Sequence, residues 1–204
     1  MKKDKIQTEI ELMSELELGE VVSQKALSQR LSVSVGLINT LLKRISHKGL
    51  VKIKSAPYNR WAYYITPKGF SEKSRLVVEY LDTSLGFFRE AREEYNHIFS
   101  RSKACGISKV VFIGSGELAE IALLSAGEQE VKVVGLVDAE VNDDHCHGIP
   151  VIKNLDDLDP DVGLILTSMR SPQETYDKIR EEAQTAQIWH PDFLHISQGV
   201  THHE

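Results

Sequence analysis

The sequence predicts an α/β protein of two domains joined by a long helix, and three observations support that division. Helical periodicity and then two alternating strands occupy the first 70 residues. From residue 106 onward, short apolar runs alternate with helical stretches, the pattern of a parallel sheet. Charge divides in the same way, because residues 21–75 hold eleven bases and one acid, whereas residues 101–204 hold eight bases and eighteen acids. We therefore predict domains at 1–70 and 106–204, with 71–105 as a linking and dimerisation helix.

Three short helices are predicted before residue 50, and they cover residues 7–18, 24–31 and 35–48. Ser23 and Ser34 precede the second and third helices and are typical N-cap residues. Gly49 is a typical residue to end the third helix. The third helix has apolar residues with the spacing i, i+3, i+4, i+7, namely Ile38, Leu41, Leu42 and Ile45.

The opposite face of the third helix predicts a nucleic-acid-binding surface. It carries Gly36, Asn39, Thr40, Lys43, Arg44 and His47. A short helix, a tight turn and a second helix form a helix-turn-helix, whose second helix enters the major groove with its N-terminal residues on the base edges. We expect Asn39 to bond adenine and Thr40 to touch a base edge or a thymine methyl group. Lys43 and Arg44 are expected to contact phosphates.

Two strands are predicted next, at residues 50–54 and 61–66, with turn residues 56–59 between them. The aromatic residues of the second strand are expected to pack in the core and the hairpin: Trp61, Tyr63 and Tyr64. Arg60, beside the turn, is expected to enter the minor groove. The first domain is therefore predicted to be a winged helix-turn-helix that binds double-stranded DNA. The predicted DNA-binding residues are Ser34, Gly36, Asn39, Thr40, Lys43, Arg44, Lys54 and Arg60.

Three segments carry a resemblance to a known family: SVGLIN at 34–39, KGLVKIK at 48–54 and YITPKG at 64–69. Residues 5–100 resemble winged-helix regulators of the MarR type, and within them the subgroup found with exopolysaccharide genes. The resemblance implies a DNA-binding transcription regulator, with polysaccharide genes as its possible targets.

A fourth helix is predicted over residues 71–100, and its apolar positions follow a heptad spacing. These positions are Val77, Leu81, Ser84, Phe88, Ala91, Tyr95 and Ile98. Because a regulator that reads paired half-sites needs two recognition helices, we expect this seam to form a homodimer. The alternative is a helix that packs only on its own domain.

Strands of a second domain are predicted at residues 109–113, 131–137, 162–167 and 188–189, with helices at 116–126 and 172–183. Gly114, Gly116 and Ala119 form a G-x-G-x-x-A motif between a strand and a helix, the context of a dinucleotide-binding fingerprint. Asp138 lies 22 positions after Gly116, where an acid can bond the ribose. These features predict a small Rossmann-like α/β domain with a parallel sheet.

We expect this domain to bind a nucleotide-like effector through Gly114, Ser115, Gly116, Leu118, Asp138, Ser168 and Arg170. Glu117 opposes an anion at the start of the helix, and Arg170 is expected to compensate for it. The alternative is a domain without a ligand that only holds dimers together.

Two resemblances bear on the effector. A winged helix followed by a Rossmann domain resembles the architecture of the redox-sensing repressors of the Rex type. This resemblance implies NAD(H) as the effector. The segments FIGSG at 112–116, VGLVD at 134–138, GIPV at 148–151, LDDL at 155–158 and HPD at 190–192 resemble the N-terminal domain of bacterial sugar acyltransferases, which implies a nucleotide-sugar. The hexapeptide repeats that perform acyl transfer in those enzymes do not follow here, so acyl transfer is not expected.

Neither catalytic residues nor metal ligands are predicted, and the chain is not expected to be an enzyme. The alternative function is a small nucleotide-sugar or NAD-dependent enzyme. Residues 143–147, with the sequence DDHCH, are spaced too tightly for a usual zinc site and are expected to form a polar loop. Two cysteines and the lack of an 18-residue apolar stretch predict a cytoplasmic protein without a membrane partner.

Overall fold

The computed structural model describes residues 5–17, 21–56, 60–153, 155, 158–159, 161–184 and 186–197. The chain forms two compact units, which we call the N-terminal unit (Met1–Leu85) and the C-terminal unit (Gly86–Glu204). The boundary between them lies within one long helix, which contributes to both units.

The N-terminal unit is a winged helix, as the sequence predicts. Its helices are α1 (Lys5–Glu17), α2 (Gln24–Leu31) and α3 (Val35–His47). Its strands are β1 (Val21–Val22), β2 (Val51–Ala56) and β3 (Arg60–Ile65), which form an antiparallel sheet in the order β1-β3-β2. Strand β1 is absent from the prediction, because two residues are too short to show a period.

Side-chain caps fix the ends of α2 and α3. The Ser23 hydroxyl accepts a hydrogen bond from the Ala26 amide at 3.1 Å, and the Ser34 hydroxyl accepts one from Leu37 at 3.2 Å. Ser32 ends α2 in the left-handed conformation, and Gly49 with φ +72° follows α3. Both predicted N-caps and the predicted glycine stop are therefore confirmed.

The core of the N-terminal unit lies between α1, α2, α3 and the sheet. All four residues of the predicted stripe on α3 are buried in it, as are Leu12, Met13 and Leu16 of α1. The prediction for the aromatic residues of β3 holds only for Tyr63, which is 1% exposed. Trp61 and Tyr64 are each 45% exposed, so the expected packing in the core does not hold for them.

Helix α4 (Pro67–Ala104) is longer than the predicted 71–100 at both ends. Proline is favourable at the first helical position, and the Thr66 hydroxyl accepts a hydrogen bond from the Gly69 amide at 3.0 Å. Cys105 and Gly106, with φ +82° at Gly106, form the turn that follows its last residue.

The heptad seam of α4 is not a single interface. Ala91, Tyr95 and Ile98 are buried in the core of the C-terminal unit, and Phe88 packs against the same core. This half of the seam therefore packs on its own unit, and its predicted role in dimer contact is wrong. Leu81, in the other half, is 50% exposed.

The C-terminal unit is an α/β layer structure with a parallel sheet, which confirms that part of the prediction. Its strands are β4 (Lys109–Ile113), β5 (Lys132–Val137), β8 (Val162–Leu166) and β9 (Ile188–Trp189), in the order β5-β4-β8-β9. Between β5 and β8 lies a small antiparallel hairpin of β6 (His145–Cys146) and β7 (Ile149–Pro150). The helices are α5 (Glu117–Glu128) and α6 (Pro172–Glu182).

Apolar layers cover both faces of this sheet. Val110 and Phe112 of β4 pack in the layer that contains α4 and α5, and Val111 and Ile113 pack in the layer that contains α6. Burial of consecutive residues is typical of a central parallel strand. Both faces of the sheet are therefore covered by apolar layers.

A buried tyrosine connects α4 to the sheet. The Tyr95 hydroxyl donates a hydrogen bond of 2.9 Å to the carbonyl oxygen of Leu166, the last residue of β8. Burial, with a smaller contribution from Glu94, raises the pKa of Tyr95 well above its ordinary value. The phenol therefore remains a hydrogen-bond donor at all physiological pH values.

Candidate nucleic-acid interface and candidate ligand site

One face of α3 is polar and open to solvent. Gly36, Thr40, Lys43 and Arg44 are exposed, and Asn39 is half-buried at the edge of the face. Ser34 caps α3, so its hydroxyl already has a partner within the helix. The structure thus brings the residues predicted from α3 together on the helix that follows the turn, where a helix-turn-helix presents its contacts.

Arg44 has a partner that the sequence did not reveal. Its guanidinium forms an ion pair with Glu9 of α1, whose side chain is buried. The two residues are 35 positions apart, so no local pattern could have indicated the pair. Arg44 therefore fastens α3 to α1, and this contact competes with the predicted contact to a phosphate.

Replacing Arg44 by glutamine should lower the free energy of unfolding, because it leaves the buried Glu9 carboxylate without its cation. We expect a loss of about 1–2 kcal/mol, less than for a fully buried pair, since the Arg44 side chain is 45% exposed. Lys43→Gln removes the same charge from the neighbouring exposed position and should change stability by less than about 0.5 kcal/mol. Urea denaturation measures both, and equal losses would show that the Glu9 pair does not stabilise the unit.

The hairpin of β2 and β3, which is the wing of this winged helix, carries further exposed cations. Lys52 and Lys54 are exposed on β2, opposite Tyr64 and Ala62 of β3, and the Lys54 amine lies 5.5 Å from the centre of the Tyr64 ring. The predicted turn residues 57–59 lie outside the described residues. Arg60 begins β3, and its side chain is likewise outside the described part of the chain.

Two apolar side chains at the start of α3 were missed by the sequence interpretation. Val35 and Leu37 are 44% and 37% exposed, and they flank Gly36. A Cβ atom built on Gly36 would have no neighbour within 4 Å in the described part of the chain. Leu37 falls outside the buried i, i+3, i+4, i+7 stripe, but Val35 lies three positions before Ile38 and would extend it. The exposure of the two residues together is therefore evident only in the structure.

In the C-terminal unit, residues 114–116, which we call the glycine loop, join β4 to α5. Gly114 has φ +110°, and a Cβ at this position would lie 2.7 Å from the Cβ of Ser168. The Thr167 hydroxyl donates a hydrogen bond of 2.7 Å to the Gly114 carbonyl oxygen. Glycine is therefore required here, because the ends of β4 and β8 approach too closely for a side chain.

Gly116 differs from Gly114 in that the fold does not require a glycine there. It is the N-cap residue of α5, its φ is −74°, and a Cβ would meet nothing within 4 Å in the described part of the chain. The space in front of its backbone is open, at the start of a helix. This is the geometry that the phosphate-approach prediction requires.

Asp138, at the end of β5, binds the glycine loop directly. The Ser115 amide and hydroxyl donate hydrogen bonds of 2.9 and 2.6 Å to its Oδ2, and the Glu140 amide donates one of 2.9 Å to its Oδ1. Burial acts to raise the pKa of Asp138, but these hydrogen bonds and the charge of Arg170 outweigh it and hold the pKa below its usual range. The carboxylate is therefore ionised and already carries three protein donors.

Other predicted ligand residues take positions around the loop. The Leu118 side chain is fully buried in the core, so only its backbone faces the loop side. Ser168 follows β8 and its hydroxyl donates to the Arg170 carbonyl oxygen at 3.2 Å. The Arg170 guanidinium pairs with Glu140. The expected compensation of Glu117 by Arg170 is therefore replaced by a different ion pair.

His147, in the turn between β6 and β7, closes one side of the glycine loop, a contact that the expected polar loop at 143–147 did not indicate. The His147 Nε2 lies 2.7 Å from the Ser115 carbonyl oxygen, and because a carbonyl only accepts, this nitrogen carries the proton. His147 and Gly148 both have positive φ, as a two-residue hairpin turn requires. Residues 143–147 thus contribute to a hairpin, and among the described residues no three His, Cys, Asp or Glu side chains group as metal ligands do.

A cleft of about 550 Å³ lies on the other side of Asp138. Its lining is mixed in polarity, and its apolar part includes Val137, Val141, Val151, Ile152 and Leu155. Its polar residues are Asp138, Asn142, Lys153, Lys178 and Glu182. The volume lies within the range of small-molecule sites. Asp138 thus links the cleft to the glycine loop.

Both cysteines are free thiols: Cys105 is exposed and Cys146 is half-buried. In the described part of the chain, the helices lack the length and apolar character of a membrane span.

No protein-family model matches the chain, and no curated protein matches it. Among solved structures, the PcaV regulator of Streptomyces coelicolor, determined with its natural ligand, is similar over 40% of this chain and 59% of its own, with 18% identity and a TM-score of 0.36. MepR, which regulates the Staphylococcus aureus multidrug efflux pump MepA, is similar over 39% and 61%, with 12% identity and a TM-score of 0.33.

The zinc-responsive MarR family member ZitR of Lactococcus lactis is similar over 46% of this chain and 63% of its own, with 19% identity and a TM-score of 0.32. The chain therefore spans about three fifths of the length of each of these regulators.

Proposed function

We propose that the protein is a sequence-specific DNA-binding regulator. The observation that carries this proposal is the exposed face of α3, with Gly36, Thr40 and Lys43, on a winged helix whose residues 21–75 hold eleven bases and one acid. A helix of this kind fits the major groove, and the cations beside it match the phosphates on both sides. The resemblance to regulators found with exopolysaccharide genes suggests polysaccharide genes as targets.

The test is the binding of a fluorescein-labelled DNA duplex of random sequence by the full chain, followed by fluorescence anisotropy. We expect Lys43→Gln to weaken binding, because one phosphate contact is lost. Lys178→Gln is the matched control, since Lys178 is an exposed lysine on α6 of the C-terminal unit. An absence of duplex binding, or equal losses in the two variants, would contradict the proposal.

We further propose that the C-terminal unit is Rossmann-like and binds a nucleotide-like metabolite, either a nucleotide-sugar or NAD(H). Three features support this. In the sheet order β5-β4-β8-β9, the chain adds β5 on one side of β4 and then β8 and β9 on the other side, so the switch point lies between β4 and β8. Ligands of open α/β sheets bind at such switch points. The open space at Gly116 suits a phosphate, and the cleft beside Asp138 suits a base between aliphatic walls.

A second role for the C-terminal unit has its own support. Asp138 already accepts three protein hydrogen bonds, and Glu117 lies at the start of α5, where a phosphate would bind. These contacts favour a glycine loop that is held in place by the Asp138 carboxylate and needs no ligand to be ordered. In that case the unit is a structural or dimerisation module. Titration of the protein with nucleotides distinguishes a ligand-binding role from a purely structural one.

We also propose a homodimer that uses the first half of α4. Val78, Leu81 and Leu85 are exposed there and lie on one side of the helix, at spacings of three and four. Leu81→Glu should shift sedimentation from dimer to monomer, because a charge in an apolar interface is costly. Leu124→Glu, on the exposed face of α5, is the control and should leave the mass unchanged. A Leu81→Glu protein that still sediments as a dimer would exclude this face.

A further inference from the structure

The first turn of α3 differs in chemistry from the rest of its exposed face. Val35 is the first residue of α3 and Leu37 the third, and both side chains are exposed, while Thr40 and Lys43 further along are polar. The buried stripe of α3 is complete without them. A single exposed apolar residue needs no explanation, but two at the end of the helix proposed to enter the major groove indicate an apolar contact.

Gly36 lies between them and makes the helix less stable than alanine would, and no contact within the described fold requires a glycine there. Its Cβ position is empty to 4 Å in the described part of the chain, and its φ is not positive. Glycine within a helix is about 0.5–1 kcal/mol less favourable than alanine. The missing side chain instead allows a close approach from outside the protein.

Two polar groups of this turn are bonded within the helix and its cap. The Leu37 amide donates to the Ser34 hydroxyl at 3.2 Å, and the Thr40 hydroxyl donates to the Gly36 carbonyl oxygen at 2.9 Å. Both bonds lie within the helix and its cap, so they hold the turn in a fixed shape. The side chains that remain for a partner in this turn, Val35 and Leu37, are apolar.

We propose that Val35 and Leu37 read the C5-methyl groups of thymines in the major groove, with Gly36 over the base pair between them. This inference rests on the proposed function, because it requires α3 to lie in the groove. The thymine methyl is the apolar group that B-DNA presents on its base edges there, so an apolar pair selects thymine over the other bases. The lysines of α3 and the wing complement the phosphates around that contact.

The same contact separates DNA from RNA. RNA carries uracil, which lacks the methyl group, and the major groove of an A-form helix is too deep and narrow for side chains to read. The preferred partner is therefore a B-form DNA duplex with thymines at the positions that face the start of α3.

The experiment removes one methyl group at a time. High-affinity duplexes are first selected from a random pool with the full chain, and each thymine of the selected site is then replaced by deoxyuridine. At the thymines read by α3, we expect the dissociation constant to rise by about fourfold per methyl, which corresponds to about 0.8 kcal/mol. Thymines elsewhere in the site should tolerate deoxyuridine without loss.

Variants assign each methyl to a side chain. Val35→Ala and Leu37→Ala should each weaken the thymine duplex by a similar factor and remove the thymine–deoxyuridine difference at one position. Both residues are exposed, so the melting temperature should be unchanged. Leu124→Ala, at an even more exposed leucine on α5, should keep the full difference.

Two outcomes would overturn the inference while the proposed function stands: deoxyuridine tolerated at every thymine, or a methyl effect that persists unchanged in both alanine variants. If no duplex is selected at all, the DNA-binding function itself fails, and this inference fails with it.

Discussion

Raising the concentration of monovalent salt from about 50 to 200 mM should weaken duplex binding by about a thousandfold. The reason is counterion release, because each phosphate that the protein neutralises frees condensed cations from the duplex. About six neutralised phosphates produce a change of this size. The stretch from residue 21 to 75 holds eleven bases, so six contacts need only about half of them.

The measurement is a set of anisotropy titrations at several salt concentrations, plotted as the logarithm of affinity against the logarithm of salt. Lys43→Gln and Lys54→Gln should each reduce the slope by about one, because each removes one phosphate contact. Lys178→Gln should leave the slope unchanged. A flat salt response would show that the basic stretch is only a solvated surface and would remove the main support for DNA binding.

Gly116→Val should abolish the stabilisation of the protein by its ligand. A ligand present at one hundred times its dissociation constant adds about 2.7 kcal/mol to the free energy of unfolding. The two methyl groups of valine would fill the open space in front of Gly116 that we assign to the phosphate. The variant should fold normally, because no described atom other than those of the adjacent residues lies within 4 Å of the Cβ position.

Gly127→Val provides the matched control for this experiment. Gly127 lies near the other end of the same helix, its Cβ position is also empty, and it is remote from the glycine loop. Thermal-shift titrations with NADH, NAD and UDP-sugars are run on the wild type and both variants. If no nucleotide stabilises the wild type, the structural role of the C-terminal unit is favoured. If Gly116→Val responds as strongly as Gly127→Val, the ligand binds elsewhere.

The helices and strands of the fold were predictable where they are determined by residues close together in the sequence. Ser23 and Ser34 cap their helices by bonds that span three residues, and β4 is a run of apolar residues bounded by polar ones. Sequence patterns carry such information because the interacting groups are neighbours in the chain. The two-residue strands β1, β6 and β7 were missed, since their pairing depends on distant partners.

The heptad seam of α4 shows the limit of a periodicity argument. An apolar stripe indicates that something covers the helix, but not what covers it. Tyr95 and Ile98 are covered by the sheet of their own unit, whereas Leu81 is exposed, although all three follow one spacing. Only the three-dimensional structure separates the two halves of the stripe.

The candidate sites were predictable as residue types at particular strand and helix ends, but not in their contacts. The pair of Arg44 with Glu9 and the bond of Ser115 to Asp138 join residues 35 and 23 positions apart. Both contacts change the chemistry, because they occupy groups that the sequence assigned to a phosphate and to a ribose. Val35 and Leu37 became notable only when their exposure was known.

Helix α4 also decides how the protein can be divided for experiments. Its later residues form part of the C-terminal core, where the ring of Phe99 stacks between Tyr95 and Phe112 at centroid distances of 6.3 Å on each side. A fragment that starts at residue 106 would lack that layer and leave Phe112 and Ile165 open to water. A piece of the chain intended to fold as the C-terminal half must therefore begin upstream of Phe88, within the helix and not after it.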